Sequence, residues 1–172
     1  MAKKSIQLSI LVFGMMLIGC DSIFQDFSLN GTWVSADSQY EFIMDLNFGS
    51  FENSAKYSYT NLNYSGPVTK GAYTTNGNIF NSTVTHYHGN YIAVMVPNSQ
   101  PGTGWKTIDE YYSIWENYYR QAGITEDQIN NYMNSIKNPS PSTTTFSVEG
   151  NKLTLTTTRS DGQTSAITYT KR

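Results

Sequence analysis

A two-residue rhythm constrains this chain more than any other feature. Tyr40, Phe42, Met44, Leu46 and Phe48 alternate with Glu41, Asp45 and Asn47, and apolar side chains at every second position bury one face of a β-strand while the other stays in water. Gly49-Ser50 turns the chain into Phe51-Glu52, and Tyr57 and Tyr59 continue the pattern. Lys70 to Thr75 then runs into Asn76-Gly77-Asn78, where Asn-Gly is the pair a tight type I′ turn takes because both residues tolerate positive φ. Ile79 to Tyr87 is the returning partner. Tyr73 to Ile79 lines up with Phe146 to Lys152, each an aromatic, two strand formers and a Gly-Asn turn. Leu153 and Leu155 alternate with Thr154 and Thr156, and Asp161-Gly162 leads into a last strand carrying Ile167 and Tyr169. With Tyr91 to Val96 taken as a strand buried on both faces, the runs number roughly eight to ten, the range in which an antiparallel up-and-down sheet closes into a small β-barrel.

Over residues 97–141 the period changes. Pro97, Pro101, Gly102 and Gly104 break the sheet. Thr107-Ile108-Asp109-Glu110 has capping-box spacing, in which the threonine accepts from the first turn and the glutamate reaches back. Ile108, Tyr111, Tyr112, Trp115, Tyr118, Tyr119 and Ala122 follow at helical spacing, and Gly123 stops the helix. Thr125 and Gln128 open a second helix with Ile129, Tyr132, Met133 and Ile136 as its stripe, and Asn138-Pro139-Ser140-Pro141 ends it. The prediction is a mainly β barrel with an inserted two-helix hairpin whose apolar side is mostly aromatic.

Chemistry is sparse. The net charge of −2 with 14% charged residues leaves no basic patch, which argues against nucleic acid as a partner. No serine sits in a Gly-x-Ser-x-Gly elbow, and Cys20 is the only cysteine. His86 and His88 are the only histidines. Their i, i+2 spacing on a strand puts both on the face of Phe80 and Val84, yet two ligands are too few for a metal without a third. We expect no metal, no cofactor and no catalytic residue, and an enzyme built on His86 and His88 is the weakest functional reading.

The N-terminus carries its own message. Met1-Ala2-Lys3-Lys4 is a short basic region, Ile6 to Ile18 is an apolar run of signal-peptide length, and Leu17-Ile18-Gly19-Cys20 follows. This stretch resembles the lipobox of bacterial lipoproteins, which implies cleavage before Cys20, lipidation of its thiol and anchoring to a membrane of the bacterial cell envelope. Residues 1–19 are then a signal peptide, 20–28 a tether and 29–172 one domain. Removing 19 of 172 residues leaves 153, enough for one real core.

Gly31-Thr32-Trp33 matches the Gly-x-Trp signature at the first strand of lipocalins, and Lys70-Gly71-Ala72-Tyr73 followed by a Gly-Asn turn is similar to small lipocalin-like domains of bacterial lipoproteins. The resemblance implies that Trp33 closes one end of the barrel, with Arg159 or Arg172 packed on its ring. Helices placed before the closing strands depart from the family, so no ligand residues carry over. The function implied is binding of a small apolar or amphipathic ligand beneath the helices. Tyr111, Tyr112, Trp115, Tyr118 and Tyr119 then form either a lid over the cavity or a plug in the barrel end, and His86 and His88 belong to the cavity. The alternative is a solid barrel whose outer face, rich in Tyr, Asn and Thr, meets a protein or glycan. A cavity of several hundred Å³ separates the two.

Overall fold

A computed structural model describes residues 28–172 apart from 38, 60 and 61; the segment expected to be a signal peptide and Cys20 lie outside the described residues. The strands are β1 (Gly31–Ala36), β2 (Tyr40–Asn47), β3 (Ser50–Tyr59), β4 (Leu62–Asn76), β5 (Ile79–His88), β6 (Trp105–Thr107), β7 (Ser142–Glu149), β8 (Lys152–Arg159) and β9 (Thr164–Lys171). The helices are α1 (Gly89–Met95), α2 (Ile108–Gln121) and α3 (Glu126–Lys137). Eight strands close into an antiparallel barrel in the order β1-β2-β3-β4-β5-β7-β8-β9, and β6 adds to the far end of β5 outside the ring.

Two short seams seal the ring. β5 meets β7 through Ile79 and Thr145, and the Phe146 N–H donates to the Asn78 carbonyl at 2.8 Å. β1 meets β9 only through Trp33 opposite Lys171 and Val34 opposite Thr170, with the Arg172 N–H donating to the Thr32 carbonyl at 2.9 Å. The other neighbours in the ring pair along most of their length.

The main core fills the end where both seams lie. Leu29, Trp33, Met44, Leu46, Phe51, Tyr73, Phe80, Leu153 and Tyr169 form one buried cluster. Trp33 is fully buried; its Nε1–H donates to the Leu29 carbonyl at 2.5 Å, and the Lys171 Nζ sits 5.1 Å from the ring centroid. The cation over the indole is therefore Lys171. Arg159 instead pairs with Asp161, and Arg172 with Glu41. A Cβ on Gly31 would lie 2.8 Å from the Lys171 Cε, so a side chain there would push this lysine off the indole.

The turns differ by one residue from the sequence expectation. Asn76 pairs with Ile79, so Gly77 and Asn78 are the two central residues, and only Gly77 has positive φ, at 59°. That is type II′ chemistry, with glycine at the first central position. Glu149-Gly150-Asn151-Lys152 repeats it with Gly150 at 61°. The type I′ turn lies elsewhere: Phe48 at φ 43° and Gly49 at 85° sit between paired Asn47 and Ser50.

Two further expectations fail. Tyr91 to Val96 is not a strand. Gly89–Met95 is helical, opened by the Asn90 N–H donating to His88 Nδ1 at 3.3 Å, and Ile92 and Val96 are buried one turn apart. An unbroken apolar run has no period of its own, so helix and strand are indistinguishable in it. His86 and His88 do not share the face of Phe80 and Val84 either. Gly71 pairs with Val84 but Lys70 with His86, leaving Thr85 as an extra residue in β5. This bulge reverses the parity, so beyond it Tyr87 points inward and both histidines outward.

Candidate functional site

The inner wall is set by parity. Ser35, Tyr40, Phe42, Met44, Phe51, Asn53, Tyr57, Ser82, Val84, Leu155, Ile167 and Tyr169 face the lumen with the buried Trp33, Leu46 and Leu153, and two pockets lie among them. The deeper one, about 170 Å³, is lined by Phe42, Met44, Phe51, Asn53, Phe80, Ser82, Val84, Leu155 and Tyr169. The outer one, about 340 Å³, is lined by Ser35, Tyr40, Phe42, Tyr57, Ile167 and Tyr169. Phe42 and Tyr169 line both. Neither pocket has a charged side chain on its wall.

The lumen opens sideways. β1 and β9 part beyond Val34 and Thr170, so Ser35 and Ile167 stand on opposite lips of a gap. Ile167 faces inward opposite Leu155 yet is 50% exposed, which places the mouth of the outer pocket beside it. The alternation places Tyr40, Phe42, Met44, Phe51 and Tyr57 on a buried face, but by itself it does not mark that face as a site. The available signal was Asn53, a polar residue two positions after Phe51 on the buried face.

Tyrosines crowd the far end. Tyr64 and Tyr91 meet edge to face with centroids 5.5 Å apart, beside Ala55, Val68, Phe42 and Tyr57. The Tyr64 hydroxyl donates to the Pro67 carbonyl. Tyr87, turned inward by the Thr85 bulge, stacks on Tyr111 at 3.9 Å and so ties α2 to the barrel. Burial first, and the neighbouring tyrosines second, push Tyr87 and Tyr91 up to about 12. Burial also raises Tyr64, Tyr111 and Tyr169.

Of the five aromatic residues expected at a lid or plug, Tyr111 meets the barrel by stacking on Tyr87. Trp115 packs on Tyr111, Tyr118 and Tyr119, and Tyr119 continues to Tyr132 of α3. Tyr112 carries the Lys137 ammonium 5.2 Å from its ring. Both helices begin with the capping boxes expected at Thr107 with Glu110 and at Thr125 with Gln128. Glu116 and Lys137 join the helices at 3.0 Å, as Arg120 and Glu126 do at 2.8 Å. None of the five lines the two lumen pockets; Tyr118 borders an outer groove with Pro97 to Pro101 and Ile114.

The histidines lie outside. His86 borders a shallow outer groove of about 490 Å³ with Asp45, Glu52 and Lys70, and its Nδ1 is 2.9 Å from the Thr85 hydroxyl. His88 caps α1 and meets the Trp105 ring edge to face, while the Lys70 ammonium lies 4.7 Å from the same indole. Among the described residues no group of three or more His, Cys, Asp or Glu converges as a metal site. No protein-family model, no curated protein and no solved structure matches this chain.

Proposed function

We propose that the chain is a lipid-anchored, lipocalin-like binding module, cut before Cys20, whose lumen takes up a small apolar or amphipathic ligand. The observation that carries this reading is the hollow wall: an uncharged outer pocket of about 340 Å³, continued by a deeper one, opens through an exposed, inward-facing Ile167. Its size falls at the lower end of the range for small-molecule sites. The ligand enters between β1 and β9 rather than beneath the helices. The α2–α3 hairpin acts as a fixed cap on the tyrosine-rich end, held by the Tyr87–Tyr111 stack. No catalytic step is part of the reading.

Native mass spectrometry of the full chain extracted from membranes tests it. A bound small molecule is expected, together with uptake of an apolar fluorophore, and Leu155→Trp, which fills the deeper pocket, should reduce both. A chain that carries no molecule and takes up no fluorophore overturns the reading in favour of a surface that meets a protein or glycan.

A further inference from the structure

One polar side chain of the lumen holds a buried, unpaired oxygen, and its chemistry narrows the ligand. Asn53 lines the deeper pocket among Phe42, Met44, Phe51, Phe80 and Leu155. Its Nδ2 donates to the Thr69 hydroxyl at 3.0 Å, whereas its Oδ1 is buried with no hydrogen-bond partner among the described residues. An unpaired buried carbonyl is costly, and an apolar residue of similar volume at this position would avoid the cost. The position is also fixed. Asn53 stays in register with Thr69, while the very next pair, Ser54 with Pro67, is shifted by a bulge that leaves Val68 extra. The ladder thus holds the Asn53 amide against Thr69 on the wall of the deeper pocket.

We infer that the lumen selects a neutral lipid-like molecule bearing a free hydroxyl, which donates to Asn53 Oδ1 while its hydrocarbon part runs past Phe42 and Tyr169 into the outer pocket. This rests on the lumen-binding reading above. A carboxylic acid of the same chain does not fit. At neutral pH it is ionised, it has no proton to donate to Oδ1, and no cation lines either pocket to offset the burial of its charge. The hydroxyl needs no such partner, and Ser82 on the same wall is a second polar group within the pocket.

The test is photolabelling of the full-length, membrane-bound chain with one diazirine-bearing alkyl chain in four forms: primary alcohol, methyl ether, carboxylic acid and alkane. Labelled peptides identified by mass spectrometry should fall on β2, β5, β8 and β9. At subsaturating probe, the alcohol should label about fivefold or more above the ether, which accepts but cannot donate, as one buried hydrogen bond implies. The acid should label no better than the alkane. Asn53→Leu should bring the alcohol down to the level of the ether and leave the alkane unchanged or improved, and that retained alkane signal shows the variant is folded. Equal labelling of the wild-type lumen by alcohol, ether and alkane overturns the hydroxyl assignment while keeping the lumen site. Preference for the acid overturns it as well. Lumen labelling by none of the four overturns the binding reading itself. Because the wild-type series alone separates these outcomes, a misfolded Asn53→Leu does not shield the proposal.

Discussion

Replacing Trp33 with alanine is the sharpest test of the closed end. A tryptophan buries roughly 200 Å², and at about 25 cal/mol per Å² that is at most about 5 kcal/mol, an upper bound because the unfolded chain already hides some surface. Trp33 is fully buried among side chains that are themselves buried, Leu29 and Leu153 included, so the hole cannot refill easily. The substitution also strands the Leu29 carbonyl, which accepts from Nε1 at 2.5 Å, and removes the ring beneath Lys171. Truncations of this kind cost about 3 to 5 kcal/mol. That is a large part of the roughly 5 to 15 kcal/mol that holds a typical domain. Urea unfolding followed by far-UV circular dichroism at pH 7 reads the loss. Trp33→Phe should cost less, about 1 to 3 kcal/mol, since a ring remains and the main loss is the Leu29 partner. Lys171→Met should cost about 0.5 to 1 kcal/mol in the parent and nearly nothing beside Trp33→Ala, because a cation–π contact needs both members. A Trp33→Ala loss below about 1 kcal/mol, or a Lys171→Met cost unchanged by that substitution, refutes the closed end as described.

Three further outcomes follow from particular residues. Cys20→Ser should accumulate as an unprocessed precursor, checked by metabolic labelling with a fatty acid and by electrophoretic mobility; mature, unlipidated protein from this variant defeats the anchor. Phe48→Asn should raise stability by about 0.5 to 1 kcal/mol in the same urea assay, because Phe48 holds φ 43° with 69% exposure at a type I′ position that asparagine occupies at lower cost; a loss of stability shows instead that the ring contributes to packing. With Tyr87 and Tyr91 at about 12 in the fold and near 10 when unfolded, the unfolded chain loses these protons first. Their contribution is complete below about pH 10 and is lost as pH climbs through about 12, so the urea midpoint should fall over that window and fall less in Tyr87→Phe. An identical alkaline profile in Tyr87→Phe counts against the buried cluster.

Local signals were legible in the sequence and interrupted ones were not. The capping boxes at Thr107 and Thr125 are complete within four residues, so the starts of α2 and α3 follow from spacing alone. Alternation through Met44 and Leu46 likewise needs only its own strand. Parity in β5 depends on the partner: the extra Thr85 is defined by how Lys70 and Gly71 pair across the ladder, and nothing within Val84 to His88 announces it. The histidines therefore went to the wrong face, and Tyr87, the residue that ties helix to barrel, was passed over. Asn53 illustrates the same limit for the site. Its inward direction follows from Phe51, but its unpaired Oδ1 emerges only once β4 brings Thr69 to the other end of the amide.

The seam between β1 and β9 also fixes when the barrel can exist. Its two sides are the first and the last of the described strands, so ribosomal synthesis delivers Gly31–Ala36 well before Thr164–Lys171. Until Thr164–Lys171 has been made, the growing chain is an open sheet with an unpaired β1 edge and no lysine over Trp33. Contacts that span nearly the whole chain are slow to form because the intervening loop must close first. Loss of residues 164–172 would leave that edge free in every molecule and turn a closed barrel into a template for strand pairing between chains.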